Sequence, residues 1–385
     1  MRDEERVTPL ELFFDLVFVL AITQCTALMA DDPTWEGIAR GVLILALMWW
    51  AWTGYAWLTS VINPEEGAVR LVIFAAMAGL LVVALCVPGA FGDEATLFAV
   101  AYGVVRFGQI GLFLLASRDH PELRHSVLGL AGGTAVGCGL LVVGSFFDPE
   151  PQFVIWSVAL ALDLLEPYLF GSEGWKLQPS HFAERHGLIL IIALGESIVA
   201  IGAGASVAID AGVVIAATLG IIIAAALWWL YFDVVALVAE RRLADAPVGK
   251  VQNEMARDSY SYLHFGMVAG IILAALGLKK TIGDVDSALK LEVASATLGG
   301  IALYLLSHVA FRWRNVHSLN ARRLVCALVM LALIPLATEI SALATVTIIA
   351  GLLVVLIAYE VIRFSEFREK IRHELHRGEP MPDRP

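Results

Sequence analysis

Two acidic side chains near the start of the chain, Glu11 and Asp15, are four residues apart within a mostly apolar run. On a helix this spacing places both carboxylates on one face. Two neighbouring carboxylates repel each other unless a proton, a cation or a basic residue lies between them. The pair therefore predicts either an ion or proton site, or a buried salt bridge with a basic partner.

A second group of polar side chains is concentrated between His181 and Ser197. His181, Arg185 and Glu196 share one stripe of a helix, because eleven residues bring the chain back to within about 20° of the same direction. Glu196 is in the middle of an apolar run, where an acid must be protonated, paired or in contact with water. Glu196 and Ser197 are therefore candidates for a functional site. Glu184 and Arg185 are nearer the helix end, where a structural role is an equal alternative.

Other apolar segments carry further candidates, which are two ionisable side chains and three aromatic side chains that would line a path: Arg106, His264, Trp49, Trp228 and Tyr231. Arg106 is the one basic residue left within a predicted helix. Its expected counter-ion is one of three acids, Asp15, Asp163 or Glu196. Asp163 and Glu166 are three residues apart on the same predicted helix.

Together these His, Glu, Asp and Arg side chains suit a proton relay or an ion site inside a bundle of helices. The sequence contains no HExxH, GxSxG or P-loop pattern. No spacing of potential ligands specifically supports a metal, so no metal site is predicted and the cofactor stays unknown. The cysteines Cys25, Cys86, Cys138 and Cys326 lie in apolar runs and are expected to be small buried residues.

The elements that position these groups must be membrane-spanning helices. Of the 385 residues, 59% are apolar and 16% are charged, whereas soluble domains have about 45–50% and 25%. The net charge of −11 argues against a nucleic-acid partner. The composition therefore predicts an all-α polytopic membrane protein whose partner is the lipid bilayer.

About twelve apolar segments are long enough to cross a bilayer, which takes about 20 residues per helix. They run approximately over residues 9–29, 36–60, 67–87, 93–117, 123–146, 152–171, 182–203, 210–236, 257–277, 289–312, 321–338 and 342–365. With the N-terminus inside, the cytoplasmic segments hold 21 Lys and Arg residues and the outer segments hold 4. This bias predicts that both termini are cytoplasmic.

The two halves of the chain resemble each other. A glycine and three aliphatic residues lead to Trp49-Trp50 in the second segment and to Trp228-Trp229 in the eighth. The match predicts two parallel six-helix repeats at 1–175 and 176–365, followed by a cytoplasmic tail at 366–385. Parallel repeats of this kind usually place a path or a site between the halves.

Two motifs resemble those of a known family. The opening Thr8–Val19, with the sequence TPLELFFDLVFV, resembles the signature opening of the bacterial low temperature requirement protein A (LtrA) family. The segments His181–Leu188 and Leu194–Ile198 resemble the second motif of that family. The resemblance covers nearly the whole chain and implies a multi-pass protein of the bacterial plasma membrane, named for a growth phenotype in the cold. It implies no reaction and no established catalytic residues. The matching motif positions are Glu11, Phe14, Asp15, His181, Glu184, Arg185, Gly187, Glu196 and Ser197.

Three functions remain open at this point. The favoured one is a proton-coupled transporter or channel for a small solute or ion, in which protonation of Glu196, together with Asp15 or His264, drives movement. The alternative is an intramembrane enzyme, or a lipid- or cofactor-binding protein, in which His181 and Arg185 hold a phosphate headgroup near the cytoplasmic interface. The third is a structural or sensory membrane protein whose buried charges only pair with each other. A homodimer is an option under each of them.

Overall fold

The computed structural model describes residues 6–170, 174–204 and 209–365, and the predicted tail at 366–385 lies outside them. Within the described ranges the chain is helical throughout and contains no β-strand. The helices in chain order are α1 Pro9–Asp31, α2 Trp35–Val61, α3 Gly67–Gly89, α4 Ala95–Ala116, α5 Pro121–Gly144, α6 Pro149–Leu169, α7 Pro179–Gly204, α8 Ala211–Ala244, α9 Lys250–Gly283, α10 Leu291–Val316, α11 Ala321–Ala332, α12 Ile334–Ala337 and α13 Ala342–Arg363.

Eleven of these described helices are long and apolar enough to cross a membrane, where the sequence predicts about twelve. The difference is in the predicted segment 321–338, which forms the short helices α11 and α12 with a break at Leu333. Pro335 explains the break, because proline has no amide hydrogen and its ring clashes with the preceding helical turn. The other predicted segments each coincide with one long helix.

The described chain divides into two compact units. The first consists of the described residues within Met1–Ile192 together with Ala244–Phe265. The second consists of Ala193–Leu243 together with Gly266–Pro385, again within the described ranges. The helices α7 and α9 contribute residues to both. The two repeats with a boundary after residue 175 remain a prediction.

Helix α2 is the centre of the first unit. It packs against α1, α4 and α6, while α3 packs on α1 and α4, and α5 packs on α4 and α6. The α2 side chains Trp49, Trp50, Trp52 and Tyr55 are each at most 7% exposed. A helix that is apolar on all sides is buried by its neighbours, and α2 has this composition.

The start of α1 is set by a capping box. The side chain of Thr8 accepts a hydrogen bond from the Glu11 amide at 3.3 Å, and the Glu11 carboxylate accepts one from the Thr8 amide at 2.9 Å. Pro9 occupies the first turn, where its missing amide hydrogen is not needed. The Thr-x-x-Glu spacing is a readable start signal, and it fixes the Glu11 side chain at the beginning of the helix.

Part of α9 is tied to the end of α6 in the first unit. The residues Arg257–Leu263 form a π-helical turn, a wider geometry that is common at functional sites. From this turn Tyr262 donates to the carbonyl of Leu164 at 2.5 Å, and Arg257 donates to the carbonyl of Pro167 at 3.3 Å. These bonds satisfy carbonyl groups in the last turn of α6, where Pro167 lies inside the helix.

In the second unit, α10 packs against α11 and α12, and α13 packs against α8 and α11. Within this unit α9 and α10 cross very closely at Gly270 and Gly300. A Cβ atom on Gly270 would collide with the Gly300 carbonyl and with the backbone of Tyr304. Glycine is required there because any side chain would force the two helix backbones apart.

Candidate functional site

Glu11, Asp15, His181 and Arg185 form one buried ionic cluster in the first unit, and each side chain is at most 1% exposed. The acids come from α1 and the bases from α7. His181 Nε2 lies 2.9 Å from Glu11 Oε1, and Arg185 Nη1 lies 3.7 Å from the same oxygen. Arg185 Nη2 also forms an ion pair with Asp15 Oδ1. The guanidinium is therefore the basic partner that lies between the two carboxylates.

Helix α2 completes the surroundings of the cluster. Trp52 Nε1 donates to Asp15 Oδ1 at 2.8 Å, and Thr59 Oγ1 accepts from Arg185 Nη1 at 2.9 Å. Ser60 Oγ lies 3.3 Å from His181 Nδ1. The sequence analysis did not single out these three side chains. Their i, i+7, i+8 spacing places them on one helix face and is the signal that would have found them.

The contacts of both ring nitrogens suit a protonated His181. The hydroxyl of Ser60 donates to the carbonyl of Ala56 at 3.0 Å, so its oxygen accepts a hydrogen bond from His181 Nδ1. An ionised carboxylate only accepts, so His181 Nε2 donates to Glu11. When both ring nitrogens carry hydrogen, His181 is an imidazolium. The cluster has two negative and two positive charges in this state.

Two polar atoms of the cluster are buried without hydrogen-bond partners among the described residues. They are Asp15 Oδ2 and Arg185 Nε. An unsatisfied buried polar atom costs about 1–3 kcal/mol. The cluster is therefore balanced in charge but incomplete in hydrogen bonding.

The second unit contains a buried ion pair of a different kind. Arg323 Nε and Nη2 lie 3.0 and 2.9 Å from the two carboxylate oxygens of Glu360. Arg323 Nη1 donates to the Leu230 carbonyl and also contacts His308 Nδ1, both at 3.0 Å. Every nitrogen of this guanidinium is engaged. Arg323 is one of the 21 basic residues predicted to be cytoplasmic, but its side chain is only 6% exposed.

The other candidates from the second motif are in different environments. Glu184 is exposed, and its carboxylate accepts a hydrogen bond from the amide of Val7 at 3.0 Å. Glu196 and Ser197 are 2% and 3% exposed and belong to the second unit. Their proposed role in function remains a prediction.

Several aromatic side chains surround His186. This residue lies within the motif His181–Leu188 but is not one of the predicted site residues. Its ring centroid lies 5.0 Å from that of Trp52, 5.2 Å from Tyr260 and 5.3 Å from His264. His264 stacks on Tyr260, and its Nδ1 lies 2.9 Å from the Ser259 carbonyl. His264 is thus a buried, hydrogen-bonded residue beside His186, and its role in function remains a prediction.

The three aromatic candidates differ in exposure. Trp49 belongs to the group around His186, and its indole nitrogen donates to the Ser261 carbonyl at 2.8 Å. Tyr231 is 1% exposed and Trp228 is 44% exposed, both in the second unit. The lining of a path by these side chains stays a prediction.

Arg106 lines a cavity of about 80 Å³ inside the first unit. Its Nη1 donates to Gln109 at 2.8 Å, and its Nη2 donates to Thr134 at 3.1 Å. Its acidic partner is Asp163, at 3.6 Å. Of the three counter-ions that the sequence left open, the structure pairs Arg106 with the one on α6.

Metal ligands are not grouped in the described part of the chain. Within it, no three or more His, Cys, Asp or Glu side chains are arranged to hold a metal ion. The four cysteines form no disulfide with each other, and all of them are buried.

Comparison with known proteins identifies the family. The family model described as bacterial low temperature requirement A protein (LtrA) matches residues 6–358. Uncharacterized protein RA0937 of Rhizobium meliloti (strain 1021) is 29% identical over 316 residues, which cover 79% of this chain and 76% of that protein. Both motifs lie within the matched region, and the apolar helices make the chain a multi-pass membrane protein. The chain therefore belongs to the bacterial low temperature requirement A protein family.

Proposed function

We propose that this protein is a proton-coupled transporter of a small solute or ion, and that the cluster of Glu11, Asp15, His181 and Arg185 carries the coupled proton. The hydrogen-bond pattern around His181 carries the proposal. Loss of one proton from this imidazolium leaves two carboxylates with a single guanidinium. An uncompensated charge in a buried ion cluster is worth about 3–5 kcal/mol, which is enough to shift the population of two conformations.

The position of the cluster links this proton to the packing of helices. Its acids belong to α1, its bases belong to α7, and α2 contributes hydrogen bonds through Trp52 and Thr59. A change of charge therefore acts on three helices at once. The unpartnered atoms Asp15 Oδ2 and Arg185 Nε favour a second arrangement in which they are satisfied.

The two other functions receive less support from this geometry. A phosphate headgroup needs an open side of His181 or Arg185, but both are fully buried and are already bonded to acids. A purely structural ion pair is expected to satisfy its polar atoms, as the pair of Arg323 and Glu360 does.

We further propose that the protein lies in the bacterial plasma membrane with both termini cytoplasmic. The excess of Lys and Arg in the predicted cytoplasmic loops supports this orientation. An even number of crossings is then required, and α11 with α12 would supply the twelfth as a broken helix. In this arrangement the solute path lies between the repeats 1–175 and 176–365, with Glu196 as a further group that responds to protons.

Proton movement in proteoliposomes tests the proposed transport. The purified protein is reconstituted with a pH-sensitive dye inside, and gradients of inorganic cations, ammonium ions, amino acids and organic acids are applied in turn. We expect at least one solute to change the internal pH through the wild type. Asp15→Asn should abolish this coupling, because it removes one charge from the cluster but keeps an oxygen for Trp52.

The exposed acid Glu36 provides the matched control, and Glu36→Gln should behave as wild type. If no solute moves protons through the wild type, or if Asp15→Asn couples as well as the wild type, the proposal is wrong.

A further inference from the structure

The cavity of the first unit is lined by one acid, Glu166, and by two arginines. Arg106 is paired with Asp163 at 3.6 Å and Arg257 is paired with Asp258 at 2.8 Å. Glu166 is 3% exposed and forms no ion pair with any described residue. Asp163 and Asp258 are outside the lining but pair with its two arginines, so Glu166 leaves one negative charge in excess.

The backbone of α5 is shaped to receive the Glu166 carboxylate. A Cβ atom on Gly133 would collide with this carboxylate, so the absence of a side chain there makes room for it. Glu166 Oε1 is buried without a hydrogen-bond partner among the described residues. An ionised carboxylate that is buried without a partner has a high free-energy cost. Glu166 must therefore hold a proton or face a bound cation.

The rest of the lining is suited to an organic cation. The large aromatic side chains in it are Trp50, Trp57, Phe113 and Trp175. Aromatic faces attract ammonium groups, most strongly where water is excluded. The volume of about 80 Å³ is enough for about five to eight water molecules at 10–15 Å³ each. A small organic ion fits this space.

We propose that this cavity binds a small organic ammonium ion, with Glu166 as its counter-charge and the tryptophan rings as its cage. The ion and a proton compete for Glu166, so the proton leaves as the cation enters. This inference rests on the proposed function and names its substrate class. The proton on Glu166 is displaced by the cation at the binding site, and it is distinct from the coupled proton that the His181 cluster carries.

Other titratable groups face Glu166 from the helices around it. They are Tyr102 and Arg106 on α4, Cys138 on α5, Asp163 on α6, and Arg257 and Tyr262 on α9. The lining side chains of α2 are not titratable. Both arginines and Asp163 are already in ion pairs. Glu166 is thus the group in this set that is left to exchange a proton for a cation.

Binding is measured on the full-length protein in detergent with tetramethylammonium chloride, using tryptophan fluorescence and calorimetry. Sodium chloride at equal ionic strength is the reference. Calorimetry in buffers with different ionisation enthalpies gives the number of protons released. We expect saturable binding by the wild type with release of about one proton per ion. Glu166→Gln should weaken binding by at least about tenfold and release no proton.

Two further variants make the test specific. Glu150→Gln changes an exposed acid on the same helix and should bind as wild type. Trp50→Leu removes one wall of the cage and should weaken binding by about three- to tenfold while the proton is still released.

The inference is overturned if the wild type does not bind tetramethylammonium, if Glu166→Gln binds it equally well, or if Trp50→Leu has unchanged affinity. Stronger binding of acetate or phosphate would also overturn it, because Arg106 would then be the recognising group. Binding without any transport would preserve the site but refute the proposed function. Proton-coupled transport without binding of an ammonium ion would support the proposed function but refute this binding site.

Discussion

His181 is the residue at which the charge of the buried cluster can change. Arginine stays charged at all relevant pH values, whereas histidine is the side chain that ordinarily exchanges its proton near neutrality. In the proposed charged state both ring nitrogens of His181 donate hydrogen bonds, and its proton balances the second carboxylate of the cluster. The charge balance depends on this one proton, and it can be tested by substitutions at Glu11 and His181.

We predict that His181→Gln lowers the free energy of unfolding by about 3–5 kcal/mol, because it leaves one acid without a partner. The double variant Glu11→Gln/His181→Gln restores the charge balance and should recover most of this loss. Thermal unfolding followed by tryptophan fluorescence in detergent measures both effects. If the double variant is less stable than His181→Gln, the assigned charges are wrong.

The pair of Arg323 and Glu360 in the second unit should be structural. We expect Arg323→Met to destabilise the protein by about 3–5 kcal/mol, since it leaves a buried carboxylate alone. The double variant Arg323→Met/Glu360→Leu should recover most of the lost stability. The neighbouring Arg322 is exposed, so Arg322→Met is the control in the same unfolding experiment. Equal effects of the substitutions at Arg322 and Arg323 would contradict the burial of this pair.

At the scale of the elements, the packing of α5 against α6 depends on Gly133, which has no side chain. Gly133→Ala should lower stability by about 1–3 kcal/mol, because the new methyl group collides with the Glu166 carboxylate. Gly132→Ala meets no atom within 4 Å and should raise stability by up to about 1 kcal/mol through helix propensity. Unfolding temperatures of the two variants give the comparison. A shift of the same sign in both would exclude the predicted collision.

The sequence predicted the long helices well, because each is a continuous apolar run. It missed the break between α11 and α12, since hydropathy alone does not reveal that Pro335 ends a helix. The stripe of His181 and Arg185 followed from helical periodicity. The partners of these side chains could not be predicted in this way. Periodicity shows which residues lie on the same face of a helix, but it does not show which helices are neighbours.

Arg106 illustrates the same limit within the site. Three acids were open as its counter-ion, and only the packing of α4 against α5 and of α5 against α6 brings Asp163 to it. The capping box at Thr8 and Glu11 was readable in the sequence and explains part of the burial of Glu11. The remaining contacts of Glu11 are with α7 and required the tertiary structure.

At the scale of the whole molecule, the orientation in the membrane can be tested by cysteine labelling. The native cysteines are buried and should give little background. Lys290 and Lys250 are both exposed and are predicted to lie outside and inside the cell. Lys290→Cys should react with a membrane-impermeant maleimide in intact cells, and Lys250→Cys should react only after permeabilisation. The opposite pattern would reverse the predicted topology.

One coupled proton is sufficient for useful transport. A difference of one pH unit corresponds to about 1.4 kcal/mol per proton, which supports about a tenfold gradient of a monovalent cation in one-to-one exchange. The free-energy cost of an uncompensated charge in the cluster, about 3–5 kcal/mol, is larger than this free energy per proton. Loss of the proton can therefore drive the conformational change of a transport cycle. Proton coupling in this scheme depends on His181.

The most direct test compares proton flux through wild-type protein and Glu11→Gln/His181→Gln in dye-loaded proteoliposomes. The double variant keeps the cluster neutral but has no histidine proton to exchange, so its folding is retained while its coupling is lost. We predict a solute-dependent change of internal pH with the wild type and none with the double variant. Equal proton flux through both proteins would contradict the assignment of the coupled proton to this cluster.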